Sequence, residues 1–211
     1  MKLDLTMRGP TLAEAGDWAR SAEELGAAGL FTTETNHDPF FPLVRMATKA
    51  RRVELGTGIA LAFPRSPMHL AYAAWDLQAL SGGRFVLGLG SQVRAHVIRR
   101  FSAAYDHPAR RMREIVLALR AIWRAWEEES ELRFEGEFFR HTLMPPRSVY
   151  ASRTTVSPIA IVPAVQGMSP AIIRSSVLLP QPDGPSSETN SPGWMSSETL
   201  SSANTGSPRV S

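Results

Sequence analysis

Three features of the first 146 residues predict an α/β fold built on a parallel sheet. Four short apolar segments are bounded by turn residues, amphipathic helical patterns lie between them, and the segments recur about every 25 to 30 residues, the length of a βα unit. Each crossover helix returns the chain to the same end of the sheet, so the strands run parallel. Two architectures satisfy this pattern, an open doubly wound sheet and part of a (β/α)8 barrel.

The elements follow in order. Leu3–Met7 is short, apolar and fit for a strand buried on both faces. Thr11 supplies an N-cap to a helix whose stripe Leu12, Ala15, Trp18, Ala19, Ala22 and Leu25 ends at Gly26. Leu30–Thr35 is the second strand, and a shorter helix spans Pro39–Ala50. Val53–Ala62 is the third strand. Ser66 before Pro67 opens a helix through Met68, Ala71, Trp75 and Gln78, which stops at Ser81-Gly82-Gly83. Phe85–Gly90 is the fourth strand. After His107-Pro108, the residues Met112, Ile115, Val116, Leu119, Ile122, Trp123 and Trp126 keep three-and-four spacing, a stripe that must be buried. Leu132–Arg140 alternates around Glu135-Gly136 as a small hairpin does.

Composition narrows the function classes. The 211 residues include no cysteine, which excludes disulfides, thiolate zinc sites, iron–sulfur clusters and a cysteine nucleophile. The start MKLDLTMRGP lacks the apolar core of a signal peptide, and no run of about 18 apolar residues occurs, so a cytoplasmic chain without membrane segments is expected. The net charge is only +3, a weak pointer to nucleic acid. The arginines between 94 and 124 read first as a solvated helix surface, with a nucleic-acid or protein interaction module as the alternative.

The sequence changes character near Pro145-Pro146. Residues 147–211 hold 15 Ser and 8 Pro, and the prolines interrupt every helical period. The domain reading is therefore 1–146 as the partial α/β domain and 147–211 as a low-complexity, Ser/Pro-rich tail, disordered or out of frame. Within it, Ile159–Val162 and Ala171–Leu179 have the composition of sticky β-segments.

In a parallel α/β fold the reactive groups sit at the carboxyl ends of the strands. Those ends here are Thr6-Met7-Arg8, Glu34-Thr35-Asn36-His37-Asp38, Thr57-Gly58-Ile59 and Gly88-Leu89-Gly90-Ser91. His37 beside Asp38 can form an acid–base pair; Asp38-Pro39 can equally start the next helix, with Asp38 as its cap. The five histidines show no metal-ligand spacing, so no metal site is expected. Gly88-Leu89-Gly90-Ser91-Gln92-Val93 follows the fourth strand and has valine where a dinucleotide fingerprint needs its third glycine. The pairs Gly56/Gly58 and Gly88/Gly90 read either as close backbone approach by a flat ligand or as tight internal packing.

Leu55-Gly56-Thr57-Gly58-Ile59, Arg65-Ser66-Pro67-Met68, the string Leu80 to Gly90 (LSGGRFVLGLG) and Arg133 to Phe139 closely resemble the bacterial luciferase-like monooxygenase family, and within it the branch using the deazaflavin coenzyme F420. The resemblance implies a (β/α)8 TIM barrel of which residues 1–146 supply the first four βα units, a truncated barrel lacking the phosphate site at strands seven and eight. It further implies F420, or FMN as the alternative, at the carboxyl-end mouth, acting on a small-molecule substrate by hydride transfer or flavin-dependent oxygenation. By the same resemblance His37 is the candidate catalytic residue, and Asn36, Asp38, Thr57, Gly58, Ile59, Gly90 and Ser91 are the candidate cofactor contacts, with a bulge, often a cis peptide in relatives, at Gly58-Ile59. Where relatives more commonly have Asp-His, this chain has Asn36-His37. A half-barrel exposes strand edges, so homo-oligomerisation is expected, weak cofactor binding with it, and whether the chain is active stays open.

Overall fold

The fold is given by a computed structural model, which describes residues 3–7, 11–144 and, as backbone, 161–163, all within one unit running Met1–Gln181. Six parallel segments form its sheet: β1 (Asp4–Met7), β2 (Gly29–Thr32), β3 (Glu54–Thr57), β4 (Ala60–Leu61), β5 (Phe85–Gly90) and β8 (Ile161–Pro163). The order is β1-β2-β3-β5-β4, with β8 on β5. A two-stranded antiparallel hairpin, β6 (Phe134–Glu135) and β7 (Arg140–His141), stands apart. Five helices, α1 (Ala15–Glu24), α2 (Phe40–Lys49), α3 (Pro67–Leu80), α4 (Arg94–Phe101) and α5 (Pro108–Glu127), complete the described chain. No helix among the described residues is long and apolar enough to cross a membrane.

The expected third strand is one strand position broken in two. Gly56 pairs with Val86 and Ala60 with Leu89, so three residues, 57–59, stand opposite two, 87 and 88. That one-residue excess is a β-bulge. The Gly58–Ile59 peptide inside it is cis. Thr57 replaces the ladder bonds lost there: its hydroxyl donates to the Gly88 carbonyl at 2.7 Å and accepts from the Gly88 amide at 2.9 Å.

Helix ends follow the capping chemistry of the sequence. Thr11 and Glu14 form a reciprocal capping box: the Glu14 amide donates to the Thr11 hydroxyl at 3.3 Å, and the Thr11 amide donates to Glu14 Oε2 at 3.2 Å. The Ser66 hydroxyl accepts from the Met68 amide at 3.2 Å, ahead of Pro67 in the first turn. The α5 stripe is buried from Met112 to Trp123, and Trp126, half-buried, stacks on Tyr72 of α3 with ring centroids 5.5 Å apart. Each fully buried large side chain of this kind contributes about 1.5–3 kcal/mol.

Three elements differ from the sequence expectation. Trp18 on α1 and Leu12 and Leu25, which flank it, are exposed, and the buried face is Ala15, Gly16, Ala19 and Ala22. Small residues are required there because α2 lies close: a Cβ on Gly16 would meet Lys49 Cγ at 2.8 Å. Helix α4 had no apolar stripe to announce it; among its residues Val97 alone is buried. Finally, the sheet has five strand positions where four were expected, because Ile161–Pro163, overlapping the β-segment read at Ile159–Val162, joins the sheet by pairing with Leu87–Leu89. The rest of the expected tail lies outside the described residues.

The bulge sets a firm demand on Gly88. A Cβ there would collide with the Thr57 carbonyl oxygen, which is backbone and cannot rotate away. The expected result for Gly88→Ala is a loss of stability of about 1–3 kcal/mol in urea unfolding, as for overpacking of a tight core; an unchanged midpoint would contradict this account of the bulge.

Candidate functional site

Because the strands are parallel, the ends of β1, β2, β4 and β5 form one rim, and the polar segments that follow them meet there. The bulge faces the end of β2. The Gly58 amide donates to the Thr32 carbonyl at 2.7 Å, and the Glu34 amide donates to the Ile59 carbonyl at 3.3 Å. Ile59 is left half-buried at the rim.

Glu34 organises this region. Its carboxylate accepts from the Leu61 amide at 2.7 Å and from Arg65 Nη1 at 2.7 and 2.9 Å. Arg65 Nη1 also donates to the Leu61 carbonyl at 3.0 Å, and Nη2 to Asp38 Oδ2 at 2.8 Å. The Glu34 side chain is 6% exposed and that of Arg65 19%, so the pair is held largely away from water. Burial alone lowers the affinity of the guanidinium for its proton, but its hydrogen bonds and charge contacts with Glu34 and Asp38 outweigh that and shift its pKa upward.

The residues singled out from the sequence fall into two groups. Asn36 and His37 are exposed in the loop after β2, and among the described residues neither side chain has a hydrogen-bond partner. Gly58 and Ile59 form the bulge, and Gly90-Ser91 closes β5, with Ser91 half-buried. The others are engaged internally. Asp38 caps α2, its Oδ1 accepting from the Phe40 amide at 2.8 Å while Oδ2 meets Arg65. Thr57 is buried and both roles of its hydroxyl are taken up by Gly88. The glycine pairs are likewise accounted for by protein atoms: Gly56 makes room for the Phe31 ring, Gly88 for the Thr57 carbonyl and Gly90 for the Ile59 side chain. Of the two sequence readings, internal packing explains those three positions.

Sequence reasoning missed Glu34, Arg65 and Arg100 as organisers of the rim. Arg65 immediately precedes the Ser66-Pro67 helix start, but nothing in the sequence joins it to Glu34, 31 positions away. Arg100 of α4 reaches across to donate from Nη2 to the Thr35 carbonyl, which brings α4 beside the loop carrying His37. Gln92, between β5 and α4, has φ of 62°, a left-handed conformation unusual for a residue with a side chain.

Two further features lie away from this rim. An apolar groove of about 710 Å³ between α2 and α3 is lined by Phe40, Phe41, Val44, Leu77 and Leu80, with Asp38 and Arg65 at its edge; none of Asn36, His37, Ile59 or Ser91 lines it. On α5, Arg110 pairs with Glu137 and Arg111 with Asp106, and the Arg111 guanidinium lies 4.5 Å from the Phe138 ring centre, so this part of the arginine-rich stretch is occupied within the protein. Among the described residues no group of three or more His, Asp or Glu side chains could hold a metal ion.

Comparison with known proteins places the fold and its relatives. The model of the luciferase-like monooxygenases matches residues 3–175. An uncharacterised protein of Mycobacterium tuberculosis is 54% identical over 135 residues, 64% of this chain and 40% of that protein. The 5,10-methylenetetrahydromethanopterin reductase of Archaeoglobus fulgidus is 29% identical over 125 residues, 58% of this chain and 36% of that protein. The chain thus spans less than half the length of these curated relatives. Among solved structures, a monooxygenase of Streptomyces bottropensis superposes with a TM-score of 0.65 at 28% identity, over 79% of this chain and 54% of that one. An F420-dependent secondary alcohol dehydrogenase shares the fold, with a TM-score of 0.60 at 15% identity over 76% of this chain and 51% of that one.

The Glu34–Arg65 pair yields a direct test. Arg65→Met would leave the Glu34 carboxylate buried with its backbone partner only, and breaking a buried pair from one side costs about 3–5 kcal/mol, less here because Arg65 is partly solvated. The expected outcome is a fall of roughly 2–4 kcal/mol in unfolding free energy by urea titration, with Glu34→Gln/Arg65→Met recovering part of it; a single variant as stable as the parent would refute the assignment.

Proposed function

The chain belongs to the luciferase-like monooxygenase family, and from that premise we propose that it is an oxidoreductase that holds coenzyme F420, or FMN as the alternative, against the carboxyl rim of its sheet. The reaction is hydride transfer to or from a small organic substrate, with oxygenation as the corresponding chemistry of the flavin. Relatives named as a putative coenzyme F420-dependent oxidoreductase and an F420-dependent glucose-6-phosphate dehydrogenase support the choice of F420.

The observation that carries this reading is the Ile59 ledge. A half-buried apolar side chain stands at the rim on a bulge that Glu34 and Thr32 pin from β2, with exposed Asn36 and His37 in the loop alongside. A planar, largely apolar ring edged by polar atoms fits such a surface. Anionic repulsion is small, because both acids of the loop, Glu34 and Asp38, are paired to Arg65.

When bound, the coenzyme supplies the hydride-carrying ring, and the chain supplies orientation. Gly58 and Ile59 support one face of the ring, and Ile59 keeps water from it. Gly90 and Ser91 lie at the neighbouring strand end, and Asn36 offers an amide to a ring or substrate oxygen. His37 would take a proton from the substrate oxygen as hydride leaves the carbon, and return it in the reverse direction. Thr57 and Asp38 act one step back, the first by fixing the bulge and the second by fixing the loop. The described part of β1 pairs with β2 alone and β8 with β5 alone, so each leaves an edge on which a second copy of the chain can pair.

Fluorescence titration of the full chain with F420 and with FMN, alongside size-exclusion chromatography, tests the proposal. Saturable binding by a discrete oligomer is expected, with Kd of about 1–100 µM. His37→Asn is expected to leave that binding within about threefold and to lower turnover about 10²- to 10⁴-fold, the range for loss of a general acid–base group. Binding of neither compound would end the proposal, and full turnover in His37→Asn would remove His37 from it.

A further inference from the structure

The loop that carries His37 is fastened at its two ends to one guanidinium. Glu34 and Asp38 both pair with Arg65, and the Glu34 amide also donates to the Ile59 carbonyl. Between these ends Thr35, Asn36 and His37 are exposed and lie outside helix and strand. Among the described residues a single hydrogen bond reaches the three of them: Arg100 Nη2 donates to the Thr35 carbonyl. The ends of the loop are thus set by the sheet and Arg65, whereas its middle is set from α4, 65 positions away.

The direction of Arg100 is not a by-product of how α4 packs. Val97 is the one buried residue of that helix. Left-handed residues set the helix off on both sides, Gln92 at φ 62° shortly before it and Ser102 at φ 51° as its C-cap. Arg100 does lie in the last turn, where the helix dipole favours a cation. That accounts for a positive charge there and not for its partner, since water would serve an exposed guanidinium as a hydrogen-bond acceptor nearly as well. The Phe101 ring, its centre 4.9 Å from the guanidinium, backs the group and limits its swing.

We propose that Arg100 is a positioning residue for His37: through the Thr35 carbonyl it holds the middle of the loop in the conformation in which the imidazole meets the substrate oxygen. This rests on the function proposed above, and it adds to it that proton transfer is governed from α4, by a residue that touches neither coenzyme nor substrate. Proton transfer is sensitive to such placement, because the two groups must come within hydrogen-bond reach. A misplacement of about 1 Å, even by a distant substitution, costs about 10²-fold in rate. The charge-assisted bond from an arginine is of the stronger kind, suited to holding a short segment against water.

The test separates the holding of the loop from the chemistry. In the full chain without coenzyme, NMR relaxation reads the order parameters of the Asn36 and His37 amides, which are expected near about 0.85 in the parent and below about 0.6 in Arg100→Met. Arg100→Lys, which keeps a charged donor, is expected to restore most of that order. Arg99→Met, exposed on the same helix, is the control and is expected to match the parent. Circular dichroism melts establish that each variant is folded, and Arg100→Gln takes the place of Arg100→Met should the latter fail to fold. The second arm follows reduction of F420 with isopropanol as the hydride donor. Arg100→Met is expected to lower kcat about 10- to 100-fold while the KM for the alcohol and the Kd for F420 stay within about threefold. In a His37→Asn background the same substitution is expected to cost less than about twofold, because a residue that acts through His37 has nothing left to position. Unchanged order parameters, an equal loss in Arg99→Met, or a full loss added to that of His37→Asn would each overturn the assignment. Loosening of the loop in a chain that does not turn over would uphold Arg100 as the holder of His37 and sink the hydride-transfer reading alone.

Discussion

One carboxylate holds the carboxyl end of this sheet in shape. Glu34 accepts the Leu61 amide, which restarts the strand after the bulge, and the same group takes the Arg65 guanidinium. A carboxylate 6% exposed is costly unless both its charge and its lone pairs are met. Here a backbone donor and a cation meet them together. Arg65 passes the constraint on: its second nitrogen holds Asp38, which caps α2, and the next residues, Ser66 and Pro67, start α3. The ends of two strands and the starts of two helices are therefore fixed relative to one another through three side chains.

The bulge that Glu34 secures has its own internal logic. An extra residue in β3–β4 interrupts the ladder with β5, and buried peptide groups without partners would follow. The Thr57 hydroxyl meets both groups of Gly88, which requires the two backbones to come very close, and only glycine at 88 permits that. Gly90 then accepts the Ile59 side chain. Residues that look like an opening for a ligand are in fact filled by the bulge, and the surface offered at the rim is the ledge that this packing produces.

Much of this fold was legible in local chemistry. The Thr11–Glu14 capping box, the Ser66-Pro67 start and the α5 stripe each announce themselves within a few residues, because caps and helical periods are short-range patterns. The bulge at Gly58-Ile59 came from resemblance, and the structure has it. What was not legible depends on contacts distant in sequence. Leu12 before α1 and Trp18 on it are exposed, against the stripe read from the sequence, because the close approach of α2 reserves the buried face for alanine and glycine. Helix α4 lacked an apolar stripe, and although Ile159–Val162 has the composition of a β-segment, nothing local tells that Ile161–Pro163 pairs with β5. Asn36 and His37 follow β2 in an exposed loop and Ile59 sits in the bulge, positions that strand order alone locates, whereas the Glu34–Arg65 pair joins residues 31 apart and no local pattern marks it.

The charges at the rim divide in a way that bears on selectivity. Glu34, Asp38 and Arg65 together carry one net negative charge, and their charges face one another. Of the three arginines of α4, Arg100 donates to the Thr35 carbonyl, whereas Arg94 and Arg99 are exposed and form no ion pair among the described residues. Salt screens exposed charges beyond about 8–10 Å, so the α4 charges act only on groups brought close to the helix. An apolar ledge such as Ile59 contributes area and little discrimination, since any flat ring covers it equally well. Discrimination then falls to the charged groups beside it, which fix orientation and reject ligands of the wrong charge more than they add affinity. In this rim the apolar shelf and the acids neutralised in place leave orientation to the exposed polar groups of the loop after β2.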